Sequence, residues 1–402
     1  MPDRHFYAES PQSLGIDPVK LEALFTRAER EVREGLLPSM QIAVARRGRL
    51  VAMHTLGQVT HEGRAAAATN DTLYVVFSCT KAIVSSAAWL LIEAGQLDPA
   101  ARVAELIPEF GSNGKDVVTV EQLFTHTCGF PYAPFNARDW GDRAARLQRF
   151  RTWRLTWEPG TRFEYHPTAS LWVIAELIER AAGMSFRDFV RTRIARPLGL
   201  DDLWLGLPPA QHHRLADIAH VGAPPSGDEL RALGFPTVVP REVAEDALQG
   251  LNAAEVREVG IPGGGGTMTA GDLALFYQAL LGQLRTADGA AVWQPATIAM
   301  ARQVRTGALL DPIFGKPVNR GLGIVVAGDD ERVFRGFGHG GSPLAFGHNG
   351  AGGQLAWADP DSGVSFVYLT NGCDRHPVRQ ARRGVALNSL AAALADAAST
   401  PA

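Results

Sequence analysis

Strand-forming sequence sits at the two ends of this chain, with a long helical stretch between. From Gln41, the segment QIAVARRGRLVAMHTLG places two apolar runs on either side of a turn at Arg46 to Arg49, which predicts an antiparallel hairpin. After residue 320 come GLGIVVAG, LAFGHNG, GQLAWADP and VSFVYLTN, short strand-like segments punctuated by Gly and Asp-Pro. Antiparallel pairing of neighbours is the commonest arrangement, so the two ends are expected to build one sheet. The expected fold class is α+β: an antiparallel β-sheet flanked by N- and C-terminal helices, with an inserted, mostly α-helical domain. At 402 residues the chain has room for two or three domains. The division expected is residues 1–104 plus 256–402 for the sheet domain and 105–255 for the helical insertion.

Asp17 followed by Pro18 has the form of an N-cap with proline at the first helical position, and Leu21, Leu24, Phe25, Ala28 and Val32 then recur at helical spacing up to Gly35. Further helices are expected from about Thr80 to Ala94, from Ala270 to Leu281 and from Arg383 to Ala398. Hydrophobic residues make up 46% and charged residues 20%, which excludes a disordered chain. The formal net charge of −3, with no long run of one sign, argues against a nucleic-acid surface. The longest strongly apolar stretch, Ala82 to Ile92, is far shorter than the roughly 20 residues that span a bilayer, so it reads as a core helix. The first residues, MPDRHFYAESPQSLGID, lack the apolar core of a secretory signal, and a cytoplasmic location is expected. Cys79, Cys128 and Cys373 have no metal-site spacing and are expected to be free thiols.

The sharpest chemical signal is Ser78-Cys79-Thr80-Lys81, where the extended segment LYVVF gives way to the helix KAIVSSAAWLLIEAG. A serine on the first turn has its hydroxyl near unpaired N–H groups and the positive end of the helix, which stabilises negative charge at a reacting centre. Lys81, three residues on, shares its face. Burial on so apolar a helix lowers the amine's pKa and fits it to act as a base.

With SCTKAIVSSAAWLLIEAGQLD stand four further blocks: LFTHTCGF at 123–130, WEPGTRFEYHPTASLWVIAELIERAAG at 157–183, GGGGTMTAGDLALF at 263–276 and GHNGAGGQLAWADPDSGVSFVYLTNG at 347–372. In this order, over about residues 15–390, the chain resembles the serine β-lactamase and penicillin-binding-protein superfamily, in particular its class C-like branch of carboxylesterases, D-stereospecific peptidases and acyltransferases. The resemblance implies an acyl-enzyme on Ser78 and carries over Tyr165, from the branch's Tyr-x-Asn block, as a proton-handling group. A phenol held near a lysine ammonium is expected to shift toward phenolate. His166 and Pro167 follow Tyr165, so the branch's asparagine is absent.

The branch's Lys-Thr-Gly strand is matched best by His348-Asn349-Gly350, which leads into the terminal strand pair, as Arg305-Thr306-Gly307 and His339-Gly340-Gly341 do not. These three are expected to face the substrate, and the backbone N–H groups of Ser78 and Ala351 to form the oxyanion hole. Histidine in place of lysine is mostly neutral at pH 7 and favours neutral esters over anionic β-lactams or peptide C-termini.

The function expected is a serine carboxylesterase acting on small, short- to medium-chain esters, with no metal or cofactor. The same apparatus would serve a β-lactamase, a D-amino-acid peptidase or an acyltransferase, and a catalytically silent binding module is the rival of another class. No Gly-x-Ser-x-Gly elbow occurs. Gly336, Gly338 and Gly341 match a dinucleotide fingerprint, but Pro343 stands where its helix would begin. The run Gly263 to Gly266 lacks a P-loop lysine and reads as a tight turn capping a helix. His212, His213, Asp217 and His220 fit no standard metal spacing and read as a solvated polar segment.

Overall fold

Asp17 caps the helix Pro18–Arg33 by accepting the Val19 N–H at 2.8 Å, as the Asp-Pro pair predicts. The computed structural model describes residues 2–234, 237 and 241–395. Its strands are β1 (Ser39–Arg46), β2 (Arg49–His61), β3 (Arg64–Ala67), β4 (Tyr74–Val75), β5 (Leu203–Leu205), β6 (Ala219–Val221), β7 (Gly266–Met268), β8 (Val325–Val326), β9 (Phe346–Gly347), β10 (Leu355–Ala358), β11 (Val364–Thr370) and β12 (Gly372–Asp374).

The main sheet runs β3-β2-β1-β11-β10-β9-β8, and every pairing in it is antiparallel. Both ends of the chain contribute, since β1 lies against β11 with Ile42 opposite Tyr368 and against β2 with Ile42 opposite His54. Arg47 and Gly48, both with positive φ, make the β1–β2 turn. Side chains alternate along β1: Met40, Ile42 and Val44 pack with Leu21, Leu24 and Leu387 of the two terminal helices, and Ala43 and Ala45 join the core on the other face. Helices cover both faces, so β1 is buried along its whole length and reads as a continuous apolar run.

The core on the inner face extends from Ala43 and Leu369 through Leu273 and Trp89 to Trp172 and Ile178 of the middle segment. The helix Ala270–Leu280 lies against the sheet, and the helix Thr80–Glu93 packs with the helix Ala169–Ala182. A second sheet, β4-β7-β5, sets the residues just before Ser78 beside the glycine run, and β12 pairs with β6 in parallel.

Three expectations are corrected here. The C-terminal helix spans Pro377–Ala392, starting at Pro377 rather than at Arg383, and residues 396–398 lie outside the described residues. The glycine run caps no helix: the helix Ala270–Leu280 is capped by Thr269, whose Oγ1 accepts the Asp272 N–H at 3.2 Å. His212 is buried and bonds the Leu207 carbonyl, and Asp217 pairs with Arg257, so neither belongs to a solvated segment. Among the described residues no helix is long and apolar enough to cross a membrane, and Cys79, Cys128 and Cys373 are buried free thiols.

Candidate active site

The turn that carries Ser78 is fixed from outside. The Val76 N–H donates to Gly266 O at 2.9 Å. Thr80 Oγ1 donates to Phe77 O at 2.5 Å and accepts the Gly266 N–H at 2.9 Å. Held this way, Phe77 adopts φ +46°, a left-handed conformation unfavourable for an aromatic residue, immediately before the serine. Ser78 is partly exposed where Phe77, Cys79 and Thr80 are buried.

Three residues beyond Ser78, in the first turn of the helix, Lys81 is fully buried. Its Nζ lies 3.1 Å from Ser78 Oγ and 2.7 Å from each of the Pro167 and Gly263 carbonyl oxygens. Neither carbonyl is a side-chain feature, so the sequence carries no sign of them as lysine partners. Burial, and secondarily the Arg320 guanidinium, pull the amine's pKa well below the ordinary lysine range.

Tyr165 reaches the same serine, its hydroxyl donating to Ser78 Oγ at 2.9 Å. Its loop is pinned by the buried His126 and His166. The His166 N–H donates to His126 Nδ1 at 3.3 Å, and the Glu164 N–H donates to the His126 carbonyl at 3.3 Å. His166 Nδ1 bonds Glu164 O at 2.7 Å, and its Nε2 accepts the Phe130 N–H at 3.1 Å. The phenol is not shifted toward phenolate as expected. Burial pushes its pKa up to about 12, outweighing Arg320 and the serine hydrogen bond, which act the other way.

His348 follows β9, its N–H shared between Ala356 O at 3.1 Å and the Tyr277 hydroxyl at 3.2 Å. Its ring lies 6.0 Å from that of Tyr165. Arg320 Nη1 stands 3.2 Å from His348 Nε2, and a guanidinium can only donate, so Nε2 accepts and Nδ1 carries the proton, facing Asn349 O at 2.8 Å. Burial, Arg320 and Lys81 hold the imidazole well below its ordinary pKa, so it is neutral. The Asn349 side chain is engaged in the frame, donating to Gly336 O at 2.6 Å and accepting the Ala356 N–H. Gly350 packs so closely that a Cβ there would stand 2.4 Å from Val76 O, and Gln354 Nε2 donates to Val75 O at 3.2 Å. These contacts bring the segment ending at Ala351 against the serine's turn. Among the described residues, neither the Ser78 nor the Ala351 N–H has a protein acceptor.

The model for the family described as Beta-lactamase matches residues 25–391. The chain belongs to the beta-lactamase family. That match takes in both strand-rich ends and the helical middle. Among the family's proteins, the chain is 27% identical over 321 residues to Esterase/beta-lactamase LipL of Mycobacterium tuberculosis, covering 75% of this chain and 70% of that one. It is similar in structure to a penicillin-binding-protein homologue from Caulobacter crescentus, with a TM-score of 0.77 at 30% identity over 94% of this chain and 98% of that one. EstA from Arthrobacter nitroguajacolicus matches with a TM-score of 0.72 at 25% identity over 95% and 99%.

Arg320 is the residue that the sequence reading misses. It belongs to none of the family blocks singled out above, yet its guanidinium stands 5.4 Å from the Tyr165 ring centroid and 5.5 Å from that of Phe163 while bonding His348.

Proposed function

We propose that the protein is a serine ester hydrolase whose nucleophile is Ser78 and whose substrates are short- to medium-chain carboxylic esters. The observation that carries this reading is the convergence of Lys81 Nζ, at 3.1 Å, and the Tyr165 hydroxyl, at 2.9 Å, on the single oxygen Ser78 Oγ. A silent binding module has no need of two proton-handling groups on one hydroxyl. The esterase relatives favour the same chemistry.

As a neutral amine, Lys81 spends its two N–H bonds on Pro167 O and Gly263 O and turns its lone pair to the serine hydroxyl. It takes the Ser78 proton as Oγ attacks the ester carbon. The Ser78 and Ala351 N–H groups hold the oxyanion. Tyr165, protonated up to about pH 12, gives its proton to the departing alkoxide. The phenolate then takes a proton from water as that water attacks the acyl-enzyme, and Lys81 returns its proton to Oγ as the acid leaves. Every group ends the cycle as it began. A neutral imidazole at His348, where the family resemblance has lysine, favours an uncharged substrate.

The test is intact mass after exposing wild type and Ser78→Ala to a p-nitrophenyl alkylphosphonate, with turnover of p-nitrophenyl acetate, butyrate and octanoate measured alongside. One adduct on the wild type alone, with chain-length-dependent turnover, is expected. No adduct and no turnover would make the chain a binding module. Nitrocefin hydrolysis as fast as that of the butyrate ester would refute the preference for neutral esters.

A further inference from the structure

Arg320 lines a second cavity as well as touching His348. This cavity, of about 80 Å³, is walled chiefly by Asp311, Phe314, Lys316, Arg320, Phe334 and Arg335, and Ser78, Lys81, Tyr165 and His348 take no part in its lining. One water needs about 10–15 Å³ of such space, so there is room for a small organic molecule.

Its charges are unevenly matched. Lys316 pairs with Glu331 at 2.5 Å. Arg335 pairs with Asp329 and donates to Ala327 O and Pro317 O at 2.9 and 3.0 Å. The Asp311 carboxylate accepts the N–H groups of Ile313 and Phe314 at 2.8 and 3.2 Å. Arg320 is different: among the described residues no carboxylate lies within ion-pair distance of its guanidinium, which feels Asp311 only at longer range, its one side-chain hydrogen bond is to the neutral His348, and its Nε is buried with no acceptor. A guanidinium has five N–H donors in a planar fork suited to carboxylate, and a partly buried cation with no counter-ion in contact favours an anion beside it. The other recognition element is aromatic. Phe314 and Phe334 are 41% and 47% exposed, with ring centroids 5.7 Å apart. Rings left open at a cavity wall are surface for a flat apolar ligand to cover.

We propose that this cavity binds a small aromatic carboxylate, its anionic group on Arg320 and its ring against Phe314 and Phe334. Binding here does not depend on Ser78 being a nucleophile, so the two readings stand or fall separately. Because the same guanidinium bonds His348 and lies near the Tyr165 ring, the occupant is coupled to the candidate active site without entering it.

The test is isothermal titration of Ser78→Ala with benzoate and with benzamide. Arg320→Met and Phe334→Ala are then each added to the same background. Benzoate is expected to bind saturably and benzamide at least tenfold more weakly, because the charge-assisted hydrogen bonds are lost. Arg320→Met should weaken benzoate at least tenfold and Phe334→Ala two- to fivefold. Phe334 is an exposed surface ring, so its removal leaves the fold in place. The proposal is overturned if benzoate does not bind, if benzamide matches it, or if Phe334→Ala leaves its affinity unchanged, since that last result would put the anion in the catalytic cleft.

Discussion

Tyr165→Phe separates a hydroxyl that merely holds Ser78 from one that moves a proton. The ring should stay where it is, packed among His126 at 4.7 Å, the Lys81 amine at 4.9 Å, Arg320 at 5.4 Å and His348 at 6.0 Å, so the change removes one oxygen and one hydrogen bond of 2.9 Å. A neutral hydrogen bond lost from the ground state is worth about 1 kcal/mol, roughly a fivefold effect. Loss of a general acid costs about 10²- to 10⁴-fold, or roughly 3–5 kcal/mol. The structure favours the larger figure, because the phenol's hydrogen bond is to the reacting oxygen and its pKa of about 12 keeps the proton on at neutral pH. Steady-state kcat/KM on ethyl butyrate and p-nitrophenyl butyrate is the assay. The alkoxide of the ethyl ester needs a proton to leave and nitrophenolate scarcely does, so a loss of at least a hundredfold on the first, clearly exceeding that on the second, is expected. A loss below tenfold on both esters would refute the role given to Tyr165.

The rate should rise with pH as Lys81 loses its proton, levelling well below the ordinary lysine pKa because burial and Arg320 depress it. Arg320→Met removes a repelling cation, lets Lys81 hold its proton longer and should move the acid limb of kcat/KM to higher pH; an unmoved limb would contradict this. Gly350→Ala puts a Cβ 2.4 Å from Val76 O and pushes the candidate oxyanion strand off the serine's turn, so kcat should fall between tenfold and a thousandfold while far-UV circular dichroism stays unchanged. Asp272 is buried, and burial raises its pKa from 3.8 to about 7, so the folded chain keeps a proton that the unfolded chain releases and stability falls as pH climbs through that window. Asp272→Asn can still accept the Asp202 N–H that Asp272 binds at 2.7 Å. It should stabilise the chain by up to about 4 kcal/mol at pH 8 and far less at pH 4.5; equal gains in thermal unfolding at the two pH values would count against it.

The scaffold was legible where local chemistry dictates it. Asp17-Pro18 starts a helix whatever surrounds it, and Arg47-Gly48 between apolar runs makes a hairpin. Ser78 and Lys81 were legible because i and i+3 on a helix are neighbours by geometry alone. Tyr165 and His348 came into view only through a family resemblance, since nothing local to either says that residues 87 and 270 positions from Ser78 will meet there. What stayed hidden was of two kinds. The Pro167 and Gly263 carbonyls that hold Lys81 belong to the backbone, which every residue has, and the glycine run was misread because its partner is a side chain 182 residues away. Arg320 and the direction of the Tyr165 shift depend on burial competing with charge in three dimensions, a balance that no spacing expresses.

The serine's turn is held by residues 263 to 266, its proton partners include residue 165, and Gly350 closes against it from the far end of the chain. A chain still emerging from the ribosome therefore carries its serine and lysine, and even its tyrosine, long before it carries the pieces that lock them in place. Such a nascent chain should be inert, as should one cut short before residue 350. Contacts of this sequence separation also form slowly. Hydrolytic activity thus reports that synthesis has run past residue 350 and that segments far apart in the polypeptide have found each other.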